Sequence, residues 1–98
     1  MTKRKQATAT KLADDDRVVI TRYDFDPNSE TGWHHHAMDY VVVALTVCQM
    51  LIEDRDGSKT VNVARGDAYS RKAGIEHNVI NSGNRPMSFV ETELKSSQ

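Results

Sequence analysis

Eight short segments rich in Val, Ile, Thr, Tyr and Phe alternate along the chain with clusters of turn-forming residues. No stretch of ten or more residues shows the periodicity of an amphipathic helix. Strands of this length and spacing are typical of an all-β fold, either a small antiparallel β-barrel or a roll of two sheets. The segments predicted as strands are residues 17–25, 32–36, 39–47, 49–53, 60–63, 68–71, 77–80 and 87–94.

Length and composition fit one domain with a small core. The chain has 98 residues, of which 38% are hydrophobic, and this is enough for one core but not for a second. Residues 1–13 carry four basic side chains and no acid, so we expect a flexible basic N-terminal tail there and a single domain over residues 14–98. The formal net charge of −1 argues against a nucleic-acid partner.

Neither a membrane anchor nor an exported location is expected from the sequence. The basic N-terminal segment lacks the hydrophobic stretch of a signal peptide, and no run approaches the roughly 18 apolar residues of a membrane span. Cys48 is the only cysteine, so the chain cannot form an intramolecular disulfide. We therefore expect a location in the reducing cytoplasm.

Residues 40–47 form an unusual strand, because both alternating sets of side chains are apolar. A strand that is half exposed in an antiparallel sheet has polar residues on one face. If Tyr40 and Val42 face the interior, Val41 and Val43 need cover from outside the domain. A second subunit can supply that cover, so we expect a homodimer.

The run His34-His35-His36 places two imidazoles on one face of a strand. Successive side chains of an extended strand point to opposite faces, so His34 and His36 share a face while His35 points away. His77 lies in a later predicted strand, and the three side chains together can hold one divalent ion. Three protein ligands leave coordination positions open for water or substrate. Fe(II), Ni(II), Zn(II), Mn(II) and Cu(II) are all compatible with three imidazoles.

The spacing around these histidines resembles the two sequence motifs of the cupin superfamily. The second motif reads Gly-(five residues)-Pro-x-Gly-(two)-His-(three)-Asn. It is matched here at Gly66, Gly74, His77 and Asn81, with Lys72 in place of proline. This motif is thus nearly complete in the chain.

The first cupin motif is matched at His34 and His36 and departs from the family pattern elsewhere. Asn28 stands at the leading glycine position, and asparagine is one of the few residues that tolerate a positive φ angle. Tyr40 stands where the family has its fourth ligand, an acidic or amide side chain. The loss of that ligand is the main departure.

The resemblance extends from about residue 17 to residue 94 and is closest to small single-domain cupins, a group that includes β-alanine degradation proteins. It implies a double-stranded β-helix, the cupin jelly roll. It also implies one divalent metal ion per subunit, bound by His34, His36 and His77, and a role in small-molecule catabolism.

Tyr40 and Arg71 are the other candidate site residues. Three neutral imidazoles leave the double charge of an ion uncancelled, so the site would favour an anionic oxygen ligand. The phenol of Tyr40 would either bind the ion as phenolate or stay neutral and hydrogen-bond to a bound substrate or water. The second role is favoured because a phenol has an ordinary pKa of about 10, and Tyr40 is the candidate catalytic residue. Arg71 shares a strand face with Tyr69, and it either clamps a substrate carboxylate or forms an exposed salt bridge.

Two kinds of function fit this constellation. The first is an enzyme acting on a small carboxylate or diketone, as a dioxygenase with Fe(II) or as an isomerase or lyase with a Lewis-acidic ion. The second is a non-enzymatic module that binds a metabolite or serves as an accessory subunit. The missing acidic ligand and the small size of the chain favour the second, whereas the histidine cluster is compatible with both.

Overall fold

A computed structural model describes residues 3–95 of the chain, which contain nine β-strands and no helix. Among these residues nothing forms a helix that could cross a membrane. Eight of the strands overlap the segments predicted from sequence, and the first was not predicted. The strands are β1 (Thr8–Asp14), β2 (Val18–Phe25), β3 (His34–His35), β4 (Asp39–Ala44), β5 (Cys48–Asp54), β6 (Gly57–Val63), β7 (Ala68–Arg71), β8 (Glu76–Asn81) and β9 (Met87–Leu94).

The strands form two antiparallel sheets that share one core. One sheet has the order β1-β2-β9-β4-β7 and the other the order β3-β8-β5-β6, so the chain passes repeatedly from one sheet to the other. Large apolar side chains from both sheets meet in the core, where Phe25, Met50, Met87 and Phe89 are at most 4% exposed. This arrangement is a jelly roll, which confirms the all-β fold expected from the sequence.

The N-terminal segment differs from the flexible tail predicted for residues 1–13. Strand β1 pairs with β2, and the preceding Ala7 is buried and donates a backbone hydrogen bond of 2.7 Å to the carbonyl of Glu30. The prediction is therefore wrong for residues 7–13, while residues 1–2 of the tail and 96–98 of the domain lie outside the described residues. Most β1 side chains are exposed, so backbone hydrogen bonds hold this strand and its hydrophobic pattern does not reveal it.

Strand β4 has the two apolar faces that the sequence indicates. Tyr40, Val42 and Ala44 are at most 3% exposed and face the interior, whereas Val43 is 37% exposed on the outer face of the sheet. The strand ends at Ala44, before the predicted end at residue 47, and the backbone of Leu45 turns to donate a hydrogen bond to the carbonyl of Ser88.

Asn28 adopts the left-handed conformation that is expected at the first glycine position of the motif. Its φ angle is 64°, and its backbone N–H donates to the carbonyl of Asn81 at 2.9 Å. Asparagine accepts this conformation at a smaller cost than most residues, which explains how it replaces glycine here. The turn directs the chain into the segment that leads to β3.

Candidate metal centre

The pairing of β3 with β8 places two of the three predicted ligands next to each other. His34 lies directly opposite His77 in this antiparallel pair, and paired residues project from the same face of a sheet. His36 follows β3, and its backbone N–H donates to the carbonyl of Ile75 while its carbonyl accepts from the N–H of Gly74, both at 2.8 Å. All three imidazoles therefore project into the interior.

The three imidazoles converge on a common point through their Nε2 atoms. The Nε2 of His36 lies 2.9 Å from that of His34 and 3.1 Å from that of His77. An ion bound to nitrogens at about 2.1 Å holds adjacent nitrogens about 3 Å apart when the angle between them is about 90°. The spacing thus fits three ligands on one face of an octahedral site.

Hydrogen bonding supports the same interpretation. His34 Nδ1 lies 2.8 Å from the carbonyl oxygen of Gly32, which can only accept, so Nδ1 carries the proton and Nε2 presents a lone pair. The Nε2 of His36 contacts both other rings, and a single proton there cannot make two full hydrogen bonds. A cation between the three lone pairs resolves this conflict.

His36 and His77 have the charge state that metal binding requires. Burial, with the neighbouring His34 as a smaller cause, lowers the pKa of each imidazole from 6.5 to about 4. Both rings are therefore neutral at pH 7, and only a neutral imidazole has the free lone pair that binds an ion.

His35 lies on the opposite side of the strand, as its position in the triplet predicts. It pairs with Glu76 on β8 and is exposed, so it takes no part in the cluster.

Tyr40 is brought next to the cluster, although it differs from a carboxylate in its chemistry. Its ring stacks on that of His36, with a centroid separation of 3.9 Å and an interplanar angle of 20°. Burial, with Tyr69 and Glu91 as smaller causes, raises the pKa of its phenol above the ordinary value of 10.0. Tyr40 is therefore a neutral hydrogen-bonding group.

The segment that precedes β3 is anchored by Asn78, which is 3% exposed. The Asn78 amide donates to Glu30 at 2.9 Å and to Glu53 at 3.0 Å, and its oxygen accepts from the backbone N–H of Gly32 at 2.9 Å. These bonds fix the Gly32 carbonyl that orients the His34 ring. Asn78 thus positions a candidate ligand without facing the interior itself.

A cavity of about 290 Å³ opens beside His77, with Arg71 in its wall. Arg71 is opposite Tyr40 in the β4–β7 pair and stacks on the ring of Tyr69, with its guanidinium carbon 4.5 Å from the ring centroid. Arg71 and Tyr69 thus lie on the same face of β7, as the sequence indicates. The cavity is lined by Tyr40, Ile52, Asp54, Lys59, Tyr69, Arg71, Ile75 and His77.

Lys59 is a cavity residue that sequence reasoning missed. It lies opposite the buried Ile52 in the β5–β6 pair, so it is on the inner face of the sheet and lines the cavity, although the residue itself is exposed. The signal in the sequence is its position two residues before Val61 and four before Val63, which share its strand face.

Glu91 is a second missed residue, and it places a carboxylate beside the cluster. Its Oε1 lies 3.9 Å from the Nε2 of His36, and the residue is 7% exposed. Burial, together with the charge of Glu93, raises the pKa of this carboxyl to about 7. In the sequence, Glu91 has the same alternation as Met87 and Phe89, which is the signal that it faces the core.

Comparison with known proteins assigns the chain to a family. Residues 21–93 match the cupin domain, and this match covers most of the chain. The chain therefore belongs to the cupin family, as the motifs around its histidines indicate.

Individual relatives agree with this assignment over nearly the full chain. β-Alanine degradation protein BauB of Pseudomonas aeruginosa is 46% identical over 95 residues, which cover 97% of this chain and 100% of the relative. A crystal structure of a cupin domain from Bordetella pertussis has 46% identity and a TM-score of 0.95, and covers 98% of this chain and 100% of that one. A double-stranded β-helix domain protein from Klebsiella pneumoniae has 17% identity and a TM-score of 0.74, covers 99% of this chain and 90% of that one, and supports the fold alone.

Proposed function

We propose that His34, His36 and His77 bind one divalent metal ion per subunit. The observation that carries this proposal is the approach of their Nε2 atoms to 2.9 and 3.1 Å, a spacing that suits adjacent ligands of one ion. The donor set is compatible with Fe, Ni, Zn, Mn or Cu, and imidazoles alone do not select among these metals.

The first prediction concerns metal content. We expect wild-type protein to retain about one Ni(II) or Zn(II) ion per chain after dialysis, whereas the His36→Ala, His77→Ala double variant should retain less than about a tenth of that, because a single imidazole is a weak ligand. Elemental analysis by mass spectrometry measures the content. His35→Ala is the matched control, since it removes an exposed imidazole from the same triplet and should leave the content unchanged. Equal metal content in the wild type and the double variant would contradict the proposal.

We propose further that the cavity binds a small carboxylate. Arg71 and Lys59 project into it from strands β7 and β6, and they outnumber the one carboxylate of the wall, that of Asp54. His77 forms part of the same wall. A volume of about 290 Å³ suits a compound of a few carbon atoms. The name of the relative BauB points to β-alanine or an acid formed from it, and degradation of such a metabolite fits a cytoplasmic protein.

The second prediction tests the two cations of the cavity. We expect Arg71→Gln and Lys59→Gln each to weaken binding of propionate or β-alanine to the metal-loaded protein by about two- to fivefold, because ion pairs at partly exposed sites contribute up to about 1 kcal/mol. Isothermal titration calorimetry measures the affinities. Arg65→Gln, which removes an exposed charge outside the cavity, is the control. Propionamide lacks the negative charge of propionate, so its affinity should be the same for the wild type and for the variants. A carboxylate affinity that none of these substitutions changes would rule out the proposed subsite.

A metal ion held at this centre would supply a Lewis acid or, as Fe(II), a site for dioxygen chemistry. The protein itself contributes two cations that orient a carboxylate and the neutral Tyr40 phenol, which lines the same cavity. We propose that this phenol hydrogen-bonds to the substrate and exchanges a proton with it, in a dioxygenase, isomerase or lyase reaction. The alternative is a binding module without turnover, which the absence of an acidic residue at the position of Tyr40 favours.

The third prediction separates these alternatives through Tyr40. If the protein is an enzyme, Tyr40→Phe should lower kcat by about 100-fold or more, because a positioned acid or base contributes about that factor, while the His36 stack and the melting temperature are kept. The assay follows oxygen consumption and product formation with small acids and diketones, using protein loaded in turn with Fe(II), Ni(II), Zn(II) or Mn(II). Carboxylate binding without turnover in every loaded form would establish the binding module instead.

We propose that the outer face of the five-stranded sheet forms a homodimer contact. The outer patch is defined by the apolar side chains Ile20, Val41, Val43, Val90 and Leu94. Register supports one continuous surface, because Val43 pairs with Val90 and both Val41 and Ile20 pair with Thr92. Val43 and Leu94 are 37% and 43% exposed, and a second copy of the same sheet would cover them.

The fourth prediction tests the outer patch. Sedimentation velocity at micromolar concentration should give the mass of a dimer for the wild type and of a monomer for Val43→Lys, since a charge buried in an apolar contact is strongly unfavourable. Thr60→Lys introduces the same charge on the outer face of the other sheet and should remain dimeric. A monomeric wild type, or a dimeric Val43→Lys variant, would contradict this interface.

A further inference from the structure

We propose that Glu91 is the carboxylate that balances the charge of the metal centre from its position beside His36. On this assignment the carboxylate of the site comes from strand β9, not from the motif position that Tyr40 occupies. The assignment rests on the proposed metal binding by the three histidines and extends it to a residue outside both sequence motifs.

The position of Glu91 beside His36 is the first observation that supports this role. Its Oε1 lies 3.9 Å from the His36 Nε2, and the side chains of Glu91 and His36 are 9% and 4% exposed. Two ligands that each lie about 2.1 Å from one ion are separated by at most about 4.2 Å. The carboxylate is therefore close enough to His36 to balance the charge of an ion bound there, although its group of ligand atoms within 4.8 Å contains His36 and Glu93 and neither of the other two histidines.

The backbone of Glu91 is held firmly in the sheet. Strand β9 lies between β2 and β4, and Glu91 pairs with Thr21 on one side and Val42 on the other. Val42 is 3% exposed and faces the interior, so Glu91 on the same face is directed inward. Strand pairing on both sides thus directs this carboxylate into the interior.

The charges of the site are the third observation. A buried carboxylate needs a counter-charge when it is ionised, and among residues 3–95 the only basic side chain in ion-pair contact with Glu91 is His36. A histidine that binds a metal is neutral and cannot cancel this charge. Three neutral imidazoles in turn leave both charges of a divalent ion uncancelled, so the ion and Glu91 balance each other.

Glu93 is the alternative source of the carboxylate and is less suited to the role. It lies within 4.8 Å of His36 and Glu91 in a second group of possible ligand atoms, but it is more exposed than Glu91. Glu93 pairs with Val19 and Tyr40, one inward position further along β9. Its similar chemistry and its position on the same strand make Glu93→Gln a matched control.

The fifth prediction uses Co(II) as a probe of the proposed centre. We expect Glu91→Gln to weaken Co(II) binding by about 10- to 100-fold, which is the range for groups that support metal ligands, and to change the visible absorption of bound Co(II). Glu93→Gln should stay within about threefold of the wild type, since a more exposed charge is screened by solvent and salt. Calorimetry gives the affinity, and the rise in melting temperature on adding Co(II) gives a second measure from the folded protein.

Glu91→Asp keeps the charge with a shorter side chain, so its loss of Co(II) affinity should be smaller than that of Glu91→Gln. Three results would overturn the role of Glu91 and leave the three-histidine centre intact. They are a wild-type Co(II) affinity in Glu91→Gln, a loss of affinity in Glu93→Gln as large as that in Glu91→Gln, and a loss in Glu91→Asp as large as that in Glu91→Gln. A wild-type protein that takes up no Co(II) would instead overturn the centre itself.

Discussion

The register of the short β3–β8 pair is the constraint on which the candidate centre depends. Three consecutive histidines offer two possible sets of inward-facing rings, and a slip by one residue would exchange His35 for His34 and His36. Only two residue pairs, His34 with His77 and His35 with Glu76, belong to this ladder. Hydrogen bonds on both sides reinforce this ladder: the backbone N–H of Gly32, before β3, donates to the Asn78 side chain, and the backbone of His36 bonds to the turn after β7. The convergence of the rings therefore depends on backbone and amide bonds that contain no ligand atom.

Most of the fold was predictable because most strands carry an apolar face. The segments from β2 to β9 show the alternation or the β-branched content that marks a buried surface, and all eight were found. Strand β1 has no buried face, since six of its seven residues are exposed. It is held by pairing with β2 and by contacts such as that of Lys95 with Asp14 at 2.8 Å. An edge strand of this kind depends on a partner distant in sequence, which local patterns do not specify.

The candidate site was predictable where alternation along one strand decided the direction of a side chain. This holds for His34 and His36 and for Tyr40, which the structure places beside the rings. Lys59 and Glu91 were missed for the opposite reason, because a charged residue in a strand is normally assigned to the surface. Their alternation with buried neighbours on β6 and β9 is the better guide to direction, and it overrides the usual preference of the residue type.

The distribution of charge around the cavity offers a reason why a tyrosine can stand at the family's acidic position. Arg71 and Lys59 line the cavity together with Asp54, His77 and Tyr40, whereas Glu91 does not line it and lies beside His36. A carboxylate at the position of Tyr40 would lie on the cavity wall, where it would repel an anionic substrate. A neutral phenol there leaves Asp54 as the one carboxylate that opposes the two cations of the wall. With the proposed acid on β9, the centre can keep a negative charge near the ion without adding a second carboxylate to the cavity.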